Sequence, residues 1–302
     1  MKFLKKGELS LVCKICPRQC GVDRNKGVGF CGQGEKPAAA RAALHYYEEP
    51  VISGCKGSGT IFFSGCSLKC CYCQNYPISH GNAGKTITVE RLSEIYLELQ
   101  DQGAHNINLV NPTIFTQPII ESIRDVKHRM KIPFIWNSSG YELAESLRML
   151  EGLIEVFLPD LKYVSPKLSA LYSGAADYFQ YASQAVLEMY RQAGGVRLNQ
   201  DGMIEKGLII RHLVLPNSTH DSIKVLQWIK DNIPEDAYIS LMSQYTPIPQ
   251  TSGMKFLNRR LSRREYHLVV QKLQELDFKN GFIQSLESAC PEYTPEFDLS
   301  GL

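Results

Sequence analysis

Apolar positions change their spacing at about residue 59 of the chain. From there, short runs dense in Ile, Val, Leu and Phe fall at 60–63, 107–110, 133–136, 155–158, 208–215 and 238–242, and predict β-strands. Longer amphipathic stretches lie between them at 89–102, 117–129, 143–150, 166–192 and 221–232, with a last at 262–276, and predict helices. Strands alternating with helices imply βαβ units around a parallel sheet. Six such units make a partial (β/α)6 barrel, smaller than the closed eight-unit form; a doubly wound sheet fits the alternation almost as well. In either α/β fold the chemistry collects in loops at the C-terminal strand ends.

Residues 1–57 differ. They show little apolar periodicity and mix Gly, Pro and charge with Cys13, Cys16, Cys20 and Cys31, which predicts a small loop-rich cysteine module. The expected organisation is that module over 1–57, a barrel over 58–285 and a tail over 286–302 packed on the barrel.

With 302 residues, 44% hydrophobic and 21% charged, the chain can bury one large core plus an appendage. A net charge of +2 creates no field that would draw nucleic acid or a membrane surface. No apolar stretch reaches the length of about eighteen residues that a membrane span needs, and the N-terminal residues hold no signal-peptide run, so a cytoplasmic location is expected. Disulfides are disfavoured there, which turns attention to the ten cysteines. Eight fall in two tight groups, as metal-binding or redox cysteines do; Cys55 and Cys290 stand alone and are expected to be buried as small apolar side chains.

The second group follows the first predicted strand as Cys66-x3-Cys70-x2-Cys73, with Cys71 and Tyr72 inside it. Three thiolates can hold three irons of a cubane cluster and leave the fourth open, where clusters ordinarily take four cysteines. A zinc knuckle is the alternative, although zinc sites usually pair two separated Cys-x2-Cys arms. Adjacent residues of an extended loop point apart, so Cys71 is expected to be a bystander. The spacing, with an aromatic residue before the last cysteine, resembles the signature of the radical S-adenosylmethionine superfamily. That resemblance implies a 4Fe–4S cluster on Cys66, Cys70 and Cys73. It also implies S-adenosylmethionine on the open iron, Tyr72 against its adenine, and a 5′-deoxyadenosyl radical that abstracts a substrate hydrogen.

The remaining strand ends are most similar to activating enzymes of the pyruvate formate-lyase activase type. Asp160-Leu-Lys162 resembles their Asp-x-Lys element, which serves the cofactor carboxylate and the substrate region. Arg211 matches an arginine that reaches the cofactor, while His212 alternates to the other face of its strand. Asn111 and Thr113 stand where many members place Gly-Gly-Glu, and their oxygens can accept from the methionine ammonium. Asn137-Ser138-Ser139-Gly140 resembles an Asp-Thr-Asn-Gly stretch with an amide in place of the acid. Gln244 stands near the position of a ribose-contacting His.

Cys13-x2-Cys16-x3-Cys20-x10-Cys31 supplies four more potential ligands in a module without a core, where a bound metal contributes folding energy directly. Its Cys16-Pro-Arg-Gln-Cys20-Gly and Gly29-Phe-Cys31-Gly, with Arg41-Ala-Ala-Leu-His45 and Tyr293-Thr-Pro-Glu-Phe-Asp-Leu, closely resemble a group of activase-like proteins. A structural zinc is the first expectation at this second site and an Fe–S cluster the next. The resemblance implies a low-potential electron donor of flavodoxin or ferredoxin type. Three functions follow as alternatives: activation of a glycyl-radical protein, radical chemistry on a small molecule, peptide or RNA, and a non-catalytic zinc scaffold.

Overall fold

The computed structural model describes residues 12–81, 83–288 and 294–302. Strands lie at Ala38–His45 (β1), Ser58–Phe63 (β2), Lys85–Thr86 (β3), Ile107–Val110 (β4), Phe134–Ser138 (β5), Val156–Pro159 (β6), Arg197–Leu198 (β7), Ile204–Leu213 (β8), Tyr238–Met242 (β9) and Gly281–Ile283 (β10). They form one sheet in the order β10-β9-β8-β6-β5-β4-β2-β1-β3, with β7 paired to β8. From β2 through β4, β5, β6, β8 and β9 to β10 every pairing is parallel. Each of these strands joins on the same side of its predecessor. A doubly wound sheet reverses direction partway, so this order is that of a partial barrel.

Helices fill the crossovers: Pro50–Ser53 (α1), Tyr76–Ser79 (α2), Val89–Asp101 (α3), Thr116–Val126 (α4), Ala144–Arg148 (α5), Pro166–Ser173 (α6), Tyr178–Ala193 (α7), Thr219–Asn232 (α8) and Arg263–Glu275 (α9). The amphipathic stretch at 166–192 reads as one helix but is two. Gly174 takes the left-handed conformation (φ 61°) and donates its N–H back to Ala170 O, which ends α6.

The period-two alternation of the strands separates two environments. One face, including Ile61, Phe63, Leu109, Phe134, Trp136, Phe157, Leu208, Ile210 and Leu241, packs in the main core with the helices. On the other face Ile135, Val156, Leu158, Ile204 and Ile209 form a separate apolar cluster with Ile52 of α1. That face also carries Asn108, Asn137, Arg211 and Ser240, a polar set inside a sheet of otherwise apolar strands.

Two further expectations are corrected. The N-terminal module was expected to extend to residue 57, yet the chain enters the sheet at Ala38. There β1 pairs antiparallel with β2, and its other side is joined by the C-terminal tail: Leu299 N–H donates to Ala40 O (3.0 Å) and Ala42 N–H to Ser300 O (2.8 Å). An Ala-Ala-Ala-Arg-Ala-Ala run carries no strand signal of its own; its neighbours on both sides impose the extended form. Cys55 is exposed, not buried, because it follows α1 at the end of the barrel where the chain turns into β2. Cys290, like Tyr293, lies outside the described residues.

His212 sits on the helix-facing side of β8, buried, with Nδ1 2.7 Å from Leu161 O and no hydrogen-bond partner for Nε2 among the described residues. Burial pushes its pKa down to about 4. The folded protein therefore holds it neutral, and stability present above pH 6.5 is lost as the pH falls toward 4, by up to about 3 kcal/mol. Urea titrations between pH 7 and 4.5 check this: His212→Gln is expected to flatten the acid-side loss, and an unchanged slope would place the loss elsewhere.

Candidate active site

After β2 the chain turns at Gly65, whose φ of +83° suits glycine, and enters the cysteine loop. The Asn111 side chain, from a residue itself at φ 60°, donates to Gly65 O and ties the loop to the end of β4. Leu68 N–H lies 3.4 Å from Cys66 Sγ, and Ser173 Oγ donates to Cys70 Sγ at 3.0 Å. Donors aimed at sulfur are what a ligating thiolate requires. Burial pushes the Cys70 thiol up to about 12 and the Cys73 thiol up to about 11, with Lys162 opposing in both cases. Such thiols keep their protons until a metal displaces them.

Among the described residues, no three His, Cys, Asp or Glu side chains are placed to hold a single metal ion. Cys66, Cys70 and Cys73 lie close enough to act on one another electrostatically. A cubane has a separate iron for each sulfur, and three thiols brought together by one loop would serve three of its irons and leave the fourth open. Cys71 turns away, with Sγ 3.6 Å from Met254 Sδ.

The triad opens onto a cavity of about 640 Å³, within the range of ligand sites. Cys70, Tyr72 and Cys73 line one end. The Tyr72 hydroxyl accepts from Tyr163 (2.6 Å), and its ring stands edge-on to Tyr172 and Tyr245. Beside it runs an amide chain: Gln284 Nε2 donates to Gln244 Oε1 (2.8 Å), and Gln244 Nε2 to Gln74 Oε1 (3.2 Å). Lys162 pairs with Asp160 on the next wall. Burial alone would raise the Asp160 carboxyl, but Lys162 and Arg211 hold it below its usual range.

The opposite end is a charged floor whose acidic half the sequence motifs did not reveal. Arg211 donates to Glu48 Oε2 and to Asn137 Oδ1, each at 2.7 Å, with Asp160 at 3.5 Å and Glu49 at 3.8 Å. Glu48 Oε1 also accepts from Asn108 at 3.0 Å. Burial pushes the Glu49 carboxyl up, with Arg211 opposing. Glu49 Oε2, Asn108 Oδ1 and Arg211 Nε are buried without a hydrogen-bond partner among the described residues. Arg211, Asn137 and Asp160 were expected at the site from their strand ends, but their acidic partners Glu48 and Glu49, on the turn between β1 and α1, carry no motif.

Of the residues expected at the site, Cys70, Tyr72, Cys73, Asn137, Asp160, Lys162, Arg211 and Gln244 line the cavity, while Cys66, Asn111, Thr113 and Ser139 do not. Thr113 instead donates to the buried Glu142 (2.9 Å), which also accepts from Trp136 Nε1 (2.9 Å). Ser139 O accepts from the Tyr178 hydroxyl at 2.9 Å. Both serve the barrel wall.

A family model described as a 4Fe-4S single cluster domain matches residues 53–163, which contain the whole cysteine loop. Among solved structures, SuiB of Streptococcus suis bound to its precursor peptide SuiA superposes with a TM-score of 0.52 at 14% identity, over 75% of this chain and 48% of SuiB. SuiB bound to S-adenosylmethionine gives 0.50 at 14% identity, over 75% of this chain and 50% of that one. A spore photoproduct lyase variant gives 0.52 at 9% identity, covering 80% and 79%. The chain spans about half the length of the SuiB chains it matches. The fold is therefore the partial barrel of the radical S-adenosylmethionine type, with its cysteine loop inside a 4Fe–4S domain match. In sequence, the chain is 29% identical over 274 residues to an uncharacterized protein of Methanocaldococcus jannaschii, covering 87% of this chain and 73% of the relative. No helix among the described residues is long and apolar enough to cross a membrane.

Proposed function

We propose that this chain is a radical S-adenosylmethionine enzyme acting on a polar substrate that sits between the cysteine triad and the Glu48–Arg211 floor. The observation that carries the reading is the single cavity joining Cys70 and Cys73 at one end to Glu48, Glu49 and Arg211 at the other. Cys66, Cys70 and Cys73 would hold the 4Fe–4S cluster. When bound, cluster and S-adenosylmethionine together supply a 5′-deoxyadenosyl radical for hydrogen abstraction.

The protein's own contribution is binding, orientation and exclusion of water. Tyr72, fixed by Tyr163, walls the cofactor end. Gln74, Gln244 and Gln284 present amides that can accept from and donate to hydroxyls. Lys162 offers a cation to a carboxylate, and Asp160 an anion to an amine. The floor discriminates: Glu49 Oε2 and Asn108 Oδ1 are acceptors that gain most from a ligand bearing donors, and a ligand without them leaves both unpaired. A charged donor such as an amine meets these acceptors beside Glu48 more strongly than the neutral backbone N–H of a glycine does, which favours a small molecule or a peptide side chain over glycyl-radical activation. A flavodoxin- or ferredoxin-type donor supplies the electron.

Anaerobic reconstitution with iron and sulfide tests this. A reduced-cluster paramagnetic resonance signal that shifts on adding S-adenosylmethionine, with release of 5′-deoxyadenosine, is the expected result. Zinc at the triad and no cofactor cleavage would overturn the enzyme reading. A glycine-centred radical in a supplied glycyl-radical protein would overturn the substrate reading and restore the activase.

A further inference from the structure

The N-terminal module folds without a core of its own. Between Val12 and Lys36 only Cys16, Pro17 and Cys31 are buried, while Val28 and Phe30 are exposed. Its backbone is held by short turns: Cys13 N–H donates to Val22 O (2.9 Å), Gly21 N–H to Cys13 O (3.1 Å) and Gly29 N–H to Gln33 O (3.1 Å). These turns bring the four thiols together. Cys20 and Cys31 Sγ flank one point, 3.1 and 3.4 Å from where a Cβ on Gly29 would sit, so glycine is what leaves room between them. Cys16 lies close enough to feel Cys13, Cys31 and Cys20 electrostatically, and Cys20 and Cys13 are neighbours in the same way.

The module is also pressed against the first cysteine loop. Arg18, between Cys16 and Cys20, donates to Ser67 O (2.8 Å) inside the Cys66–Cys70 loop. It also donates to Gly174 O (2.8 Å), beside the Ser173 that serves Cys70. The Cys31 carbonyl lies 2.8 Å from where a Cβ on Gly65 would be, one residue from Cys66. An electron carrier has to stand beside the cluster it serves, and this module does.

We infer that Cys13, Cys16, Cys20 and Cys31 hold a second Fe–S cluster, placed against the first to pass it one electron at a time from a low-potential donor. The electron enters the second cluster, leaves it for the first, and no bond or proton changes hands. The cluster assignment stands on the module alone; the relay rests on the proposed enzyme reading.

The triple variant Cys66→Ala/Cys70→Ala/Cys73→Ala separates the two. After anaerobic reconstitution it is expected to keep about two to four irons per chain and a reduced-state signal that S-adenosylmethionine does not move. Zinc in place of iron would overturn the assignment, as would a folded variant without metal. Cys20→Ala, at an exposed position, is expected to lose this iron while keeping the signal that responds to S-adenosylmethionine. In the unaltered protein, two reduced clusters so placed broaden each other's resonance. A spectrum equal to the sum of the two variants' spectra would overturn their adjacency.

Discussion

Replacing any one of Cys66, Cys70 or Cys73 by alanine is expected to lower reductive cleavage of S-adenosylmethionine by about a thousandfold or more, beyond the 10–100-fold that losing a ligand's hydrogen-bond partner costs. The physical basis is the count of ligands: three thiolates already leave one iron open, and a two-thiolate site cannot hold the cubane. Two neighbours calibrate the result. Ser173→Ala removes the hydroxyl 3.0 Å from Cys70 Sγ and is expected to cost about 10–100-fold. Cys71→Ala is expected to leave most activity and the full cluster, because its sulfur faces Met254 and not the cavity. Anaerobic iron counting and product quantification read all of these. Full activity in any triad variant, or loss of the cluster in Cys71→Ala, would show that the wrong thiols were assigned.

Arg211→Met is expected to cost about 3–5 kcal/mol of stability, because it leaves the buried carboxylates Glu48 and Glu49 without their cation and Asp160 with Lys162 alone. The loss should depend on pH in a defined direction. Burial already raises the Glu49 carboxyl against the opposing Arg211. Without the guanidinium its folded pKa rises further above the unfolded value, so the variant is most stable in acid and loses stability as the pH climbs through that folded pKa. Adding Glu48→Gln to Arg211→Met should recover part of the stability by removing one buried charge. Urea denaturation of the single and double variants between pH 5 and pH 8 measures both effects. A single variant as stable as the parent at every pH would mean that the floor is hydrated and Arg211 unneeded for folding. Lost stability with no pH dependence would point to packing of the arginine stem.

The parallel strands were legible because each packs its helix-facing side chains into one core, which keeps Ile, Val, Leu and Phe dense in short runs such as 107–110 and 238–242. The cysteine loop was legible for a different reason: ligands to one cluster must come from a short segment, so their spacing is written along the chain. Strands β1, β3, β7 and β10 left no such mark. Each is short, on a sheet edge or poor in β-branched residues, and forms because a neighbour offers it hydrogen bonds. The break at Gly174 was visible as a glycine, but the amphipathic pattern continues across it, so periodicity alone joined α6 to α7.

The candidate site divides along the same line. Tyr72, Asp160, Lys162 and Arg211 stand at strand ends, where local pattern and resemblance point to them, and all four line the cavity. Thr113 and Ser139 stand at strand ends too, yet the chain uses them to satisfy Glu142 and Tyr178, a choice that depends on partners 29 and 39 residues away. Glu48 and Glu49 carry no motif, and nothing in their neighbourhood along the chain separates them from a solvated acidic pair. They become a floor only because β1 runs antiparallel to β2 and returns its end beneath Arg211, 163 residues further on. Period, ligand spacing and turn residues are local properties and can be read from the sequence. Which polar groups meet across a barrel depends on closure of the whole sheet, and that information is spread over residues too distant for any local pattern to hold.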